Sequence, residues 1–249
     1  MNSRVAVGLL LLLAAITYSA WLLVLFLPTG LSLVDGYVSE LGASGQRFQA
    51  LFRETDMISG AALMVSAPLL MRVLPSGWGG KIVACSVLVF GLTVLLGAIF
   101  SLDCASSMSE LCRQQVESGE VSPAHHVHVV SSVFADISIF TAILGAQAVA
   151  FGRSRHLLRV VAVIVAVTGL DIVMLDSRGP GHGVGLILEI QLVVVGATML
   201  AVARFFLRKQ PQPIPPVPDA TTTAQLTTQS TRFTARRFLR SSPAQRKSA

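Results

Sequence analysis

The fourth apolar stretch of the chain opens on His125-His126-Val127-His128 and continues through Ser132 to Asp136. At 100° per residue, His125, His128, Ser132 and Asp136 share an arc of about 80° on a helix. Imidazoles exchange protons near neutral pH or ligate metals, and a carboxylate does either beside them. Asp171, His182 and Glu189 fall near the same end of the next two apolar stretches, and Asp56 opens the second. A charge at the bilayer centre costs at least ~2.5 kcal/mol, so four acids and three histidines at similar depth must share a polar interior or an outward-open cavity.

Three chemistries fit this set. The acids can pair with His, Arg178 or hydroxyls and hold helices together. The cavity can bind a small ligand, a lipid headgroup or a proton. Alternatively, His125, His128 and His182 can ligate zinc while an acid activates water, giving a membrane-embedded hydrolase or transferase acting on lipid. The spacing H-x-x-H suits ligands on one helical face, but no HExxH or comparable signature accompanies it. The structural or binding reading, without a cofactor, is therefore carried forward, with the zinc enzyme as alternative. Soluble catalysis has no support, since there is no G-x-G-x-x-G, P-loop, G-x-S-x-G or C-x-x-C.

The elements that position these groups are six apolar runs, at 5–27, 57–74, 82–102, 127–151, 157–175 and 184–206. Each is long enough to cross a hydrocarbon core of ~30 Å as a helix. Only 13% of the 249 residues are charged and 53% are hydrophobic, whereas a soluble domain carries roughly 25% charged residues. The fold class is an all-α transmembrane bundle of six helices over 1–209, with a disordered Pro/Thr/Arg-rich tail over 210–249. The first run exceeds a signal-peptide core and has no A-x-A-like cleavage site, so it reads as a retained helix.

Charge sets the orientation. With the N-terminus inside, fifteen of the nineteen basic residues lie on the inner side, and only Arg47, Arg53, Arg113 and Arg178 lie outside. This places both termini in the cytoplasm of a multi-pass plasma-membrane protein. The net charge of +6 reflects that topology and the tail rather than nucleic-acid binding. The run from Arg232 to Arg240 mixes Arg with Phe and Leu, and suits anionic inner-leaflet lipids or a protein partner. Arg outnumbers Lys sixteen to three and Asn2 is the only asparagine, a bias that suggests a GC-rich bacterial genome.

Smaller features complete the reading. Asp56 reads as an N-cap or first-turn carboxylate of the second helix. Cys104 and Cys112 lie in one outer loop, where an oxidising compartment favours a disulfide over a metal site. Cys85 reads as a buried, unpaired packing residue.

Four segments carry a family resemblance: Ser39-Glu40-Leu41-Gly42, Phe100-Ser101-Leu102-Asp103, the histidines entering the fourth run, and Gly185 to Glu189. From Val5 to Phe206 the layout resembles the bacterial membrane family catalogued as domain of unknown function (DUF) 998. In that family the last element reads Gly…Glu-Arg; here Ile190 stands in place of the Arg, leaving Glu189 without that neighbour. The resemblance implies six helices and no particular activity.

Overall fold

In the computed structural model, residues 2–176 and 182–208 are described; the tail expected over 210–249 lies outside them. Among the described residues seven α-helices form: α1 (Ser3–Tyr18), α2 (Gln49–Val73), α3 (Trp78–Ile99), α4 (Glu110–Ser118), α5 (Pro123–Val149), α6 (Gly152–Asp176) and α7 (Val184–Leu207). All but α4 are long and apolar enough to cross a membrane, with α1 extended by 3₁₀ turns over Ser19–Leu25. The protein is a six-helix transmembrane bundle.

Each spanning helix packs against two others, so the six close into a ring in the order α1, α2, α3, α5, α6, α7. In lipid, apolar surface gives helices little reason to associate, and close van der Waals approach of small residues does that work. Gly60 of α2 and Gly91 of α3 face each other reciprocally. A Cβ on either would stand 2.6–2.7 Å from the other's carbonyl oxygen. Gly79 and Gly145 bring α3 and α5 together in the same manner, and Gly8 receives Leu207 where α1 meets α7. The core inside the ring is correspondingly fine-grained, with Ala14, Ala15, Ala62, Ala84, Ala162 and Ala203 around Leu63, Phe90, Ile143 and Met199.

The spans alternate in direction, so one end of the bundle carries the long connections (29–48 and 100–122). We call this the disulfide end, because Cys104 and Cys112 are bonded there across Cα atoms 6.0 Å apart.

Three elements differ from the sequence expectation. Helix α2 starts at Gln49, ahead of the apolar run, because its first turns bury Phe52 while Arg53 and Glu54 interrupt the hydropathy. Asp56 is therefore the eighth residue of α2, in its third turn, and not a cap or first-turn residue. The loop after α3 contains α4, which is capped at one end by Ser109 and closed at the other by Gly119 at φ 74°. Its polar composition hides it from an apolar scan. Cys85 is exposed rather than buried: on α3 the flanking Ala84 and Ser86 turn inward, which leaves Cys85 on the outer face of the ring.

Candidate functional site

The hydrogen-bonded acids and histidines fall into two sets, one at the disulfide end and one inside the ring.

At the disulfide end the chain ties its own loose ends. The last carbonyls of α3 have no partner within the helix, as at any helix C-terminus. Arg53 of α2 donates from Nε to Ala98 O at 2.9 Å and from Nη2 to Ile99 O at 3.1 Å. His128 of α5 contacts Gly97 O at 2.8 Å and Phe100 O at 3.1 Å through Nδ1. Both partners are acceptors, so Nδ1 carries the proton. The His128 Nε2 is buried and meets no partner among the described residues.

His125 uses the opposite tautomer. Its Nδ1 accepts the backbone N–H of Asp103 at 3.4 Å, so any proton on the neutral ring sits on Nε2. Asp103 in turn accepts both the N–H and the Oγ–H of Ser122 at 2.6 Å. Ser122 is the N-cap of α5 and accepts from His125 N. These two bonds, with His125 and His126 nearby, hold the Asp103 carboxyl below the usual carboxylate range.

Sequence reading missed Glu40 as a site residue. It is 1% exposed. Its Oε1 accepts from Ser106 Oγ at 3.1 Å and Ser107 N at 2.8 Å, and its Oε2 accepts from Tyr37 N at 3.3 Å and from Ser107 Oγ. One carboxylate thus fastens the loop before α2 to the disulfide-bonded loop after α3. The signal for it was the Ser39-to-Gly42 segment, but its partners lie 66–67 residues further along the chain. Asp35 and Val34 of the same first loop hold the start of α7, accepting from Gly183 N at 3.0 Å and Leu186 N at 3.2 Å. Gly185 is required there, since a Cβ would stand 2.6 Å from Gly36 O.

Inside the ring, Asp136 Oδ1 accepts from Gln191 Nε2 at 2.8 Å. Helices α5 and α7 are not neighbours in the ring, so this bond crosses its interior. Gln191 is 2% exposed, and its Oε1 meets no partner among the described residues. Tyr18, at the end of α1, lies within electrostatic reach of both Asp136 and Asp56. The register agrees: Ser59 Oγ donates to Ala14 O at 3.2 Å, which sets Asp56 and Tyr18 about one turn further toward the disulfide end. Tyr18 itself stacks edge-on to Phe90 at 5.8 Å.

The predicted residues are therefore distributed as follows. His125 and His128 turn toward the α3 end, whereas Asp136 turns to α7 and lies near Tyr18. Asp171 is half-buried on α6, and Glu189 is half-buried on α7 with a buried Oε1 that meets no partner among the described residues. His182 is exposed just before α7. Among the described residues, no three His, Cys, Asp or Glu side chains gather as a metal site.

Six spanning helices with polar groups turned inward define a polytopic helical membrane protein. The chain belongs to the family described as "Protein of unknown function (DUF998)", whose model matches residues 8–204. No curated protein and no solved structure matches it. The segments behind the resemblance meet at the disulfide end: Glu40 on Ser106 and Ser107, Asp103 on Ser122 beside His125, and Gly185 against the first loop.

Proposed function

We propose that this membrane protein binds a small ligand, a lipid headgroup or a proton in a polar site inside the ring, reached from the disulfide end. The reading rests on one observation: the Asp136–Gln191 bond crosses the ring and leaves Gln191 Oε1 buried with no partner among the described residues. A buried acceptor left unpaired costs about 1–3 kcal/mol, and such a group persists where something else donates to it. Asp56 and Tyr18 extend the same site, and Glu189 and Asp171 lie on the adjoining helices. The disulfide end faces outward in this reading, supported by the positive-inside bias and by a disulfide that suits an oxidising compartment. Both termini then lie in the cytoplasm, and the basic tail lies against anionic lipid of the plasma membrane.

The test is chemical access. In a Cys85→Ala background, Asp136→Cys and Gln191→Cys are exposed on intact cells to a membrane-impermeant thiol reagent. Labelling of either, from outside only, is the expected result. If both react with a permeant reagent but neither with the impermeant one, the site is closed and the reading fails.

A further inference from the structure

The polar site inside the ring is rich in acceptors and has no cation of its own. Its groups come from four helices: Asp136 on α5, Asp56 on α2, Tyr18 on α1 and Gln191 on α7. In the half of the bundle nearest the disulfide end, α6 adds Asp171 and α7 adds Glu189, α3 offers no ionisable side chain between Cys85 and Asp103, and the histidines of α5, His125 and His128, are engaged at the α3 end. Among the described residues, the only Arg or Lys in the half of the spans nearest the disulfide end is Arg53, and its Nε and Nη2 are engaged by Ala98 and Ile99 carbonyls. Carboxylates in a membrane interior are stable when they are paired, protonated or bound to a cation. Pairing is absent here, since the one ion pair among the described residues is Arg113–Glu110 in α4.

The independent observation is Gln191. Its amide nitrogen is fixed on Asp136 at 2.8 Å, so its oxygen lies at the same place, 98% buried with the rest of the residue and without a donor among the described residues. Asp136 and Gln191 meet directly, and Asp56 and Tyr18 lie about one turn beyond the Ser59–Ala14 contact between their helices, so the donors on offer are all oxygens. Oxygen sets of this kind take hard cations, whereas zinc prefers His and Cys. Carboxylates and free carbonyl oxygens at mid-membrane are also how membrane proteins hold sodium ions and protons.

We propose that Asp136, Gln191 Oε1, Asp56 and Tyr18 bind a monovalent inorganic cation, a proton or a sodium ion. This rests on the binding reading above and names its ligand. Binding neutralises the excess negative charge and supplies the missing partner of Gln191.

Trp21 lies one turn beyond Tyr18 and is buried, and the only other tryptophan, Trp78, is exposed. A Trp78→Phe protein in lipid nanodiscs therefore reports on the site through Trp21. Fluorescence is titrated with sodium chloride against N-methylglucamine chloride at constant ionic strength, and separately with pH. A saturable change with sodium alone identifies sodium, and a change with pH that sodium does not move identifies the proton. Asp136→Asn should abolish either response, whereas Gln191→Met should weaken a sodium response at least tenfold and shift a proton response along the pH axis, because the N–H donated to the ionised Asp136 is gone. Gln191→Met keeps size and apolar packing, so it decides the matter where Asp136→Asn fails to fold. No response to either cation, or an unchanged response in Gln191→Met, overturns the proposal. If thiol access persists in that case, the binding reading stands and only its cationic ligand falls.

Discussion

Arg53 and His128, on helices that flank α3 from opposite sides, together occupy four consecutive carbonyls, Gly97 to Phe100. A helix end near the membrane surface is thereby closed by side chains from its two ring neighbours. The histidines that the sequence offered as alternative zinc ligands do different work at this end: His128 donates to α3, and His125 accepts from the Asp103 backbone.

Stability should show this shared cap. Arg53→Gln or His128→Ala each leaves two helix-end carbonyls unpaired, one of them in a part-buried bond (Ala98 or Gly97), at about 1 kcal/mol. Because both residues serve one helix end, the double mutant should lose less than the sum of the two. Thermal unfolding of the detergent-solubilised protein measures it, and strict additivity would show that the caps act independently.

Glu40→Ala removes the acceptor for four donors at once. The expected loss is roughly 3 kcal/mol or more, as for a buried charged group with hydrogen-bonded partners. Glu40→Gln should recover part of it, since one oxygen remains. Unfolding unchanged in Glu40→Ala would mean that the two loops hold together without the carboxylate.

Mass spectrometry of protein with thiols blocked and no reductant should find Cys104 joined to Cys112 and Cys85 alkylated. A Cys104→Ala/Cys112→Ala double mutant should lose about 2–3 kcal/mol, the chain-entropy value for so short a loop.

Acid should release the Asp103 clasp. Its carboxyl is held below the ordinary range by Ser122, so the stabilisation is fully present above the unfolded value of about 3.9 and disappears as pH falls through the lower folded value. The melting temperature of the wild type should exceed that of Asp103→Asn at neutral pH, and the gap should narrow only below about pH 4. A gap that narrows between pH 5 and 7 would assign the effect to a histidine.

Metal analysis of purified protein should find no stoichiometric zinc, and His125→Ala should not change the metal content. Zinc lost on that substitution would favour the hydrolase alternative.

The spanning helices were legible because burial in lipid imposes a simple rule: some twenty apolar residues in a row. The rule fails where burial is local and mixed. The first turns of α2 bury Phe52 yet carry Arg53 and Glu54, and α4 packs little more than Cys112. The in-ring position of Asp136 followed from the cost of exposing it, but its partner did not, because Gln191 lies on a helix that is not its ring neighbour. Glu40 was illegible as a buried group for a related reason: a loop carboxylate is ordinarily solvated, and the serines that bury it come from another loop.

The ring order also has a consequence for biogenesis. Helices α1, α2 and α3 can pack as each is made, since every new helix meets the one before it. The ring itself closes through α1 and α7, the first and the last of these six spans in chain order. Until α7 leaves the ribosome, Gly8 has no Leu207 against it and Asp136 has no Gln191. A chain stalled after α6 would leave that carboxylate open to lipid or to the insertion machinery. Assembly of the interior therefore waits for the sixth span of the ring.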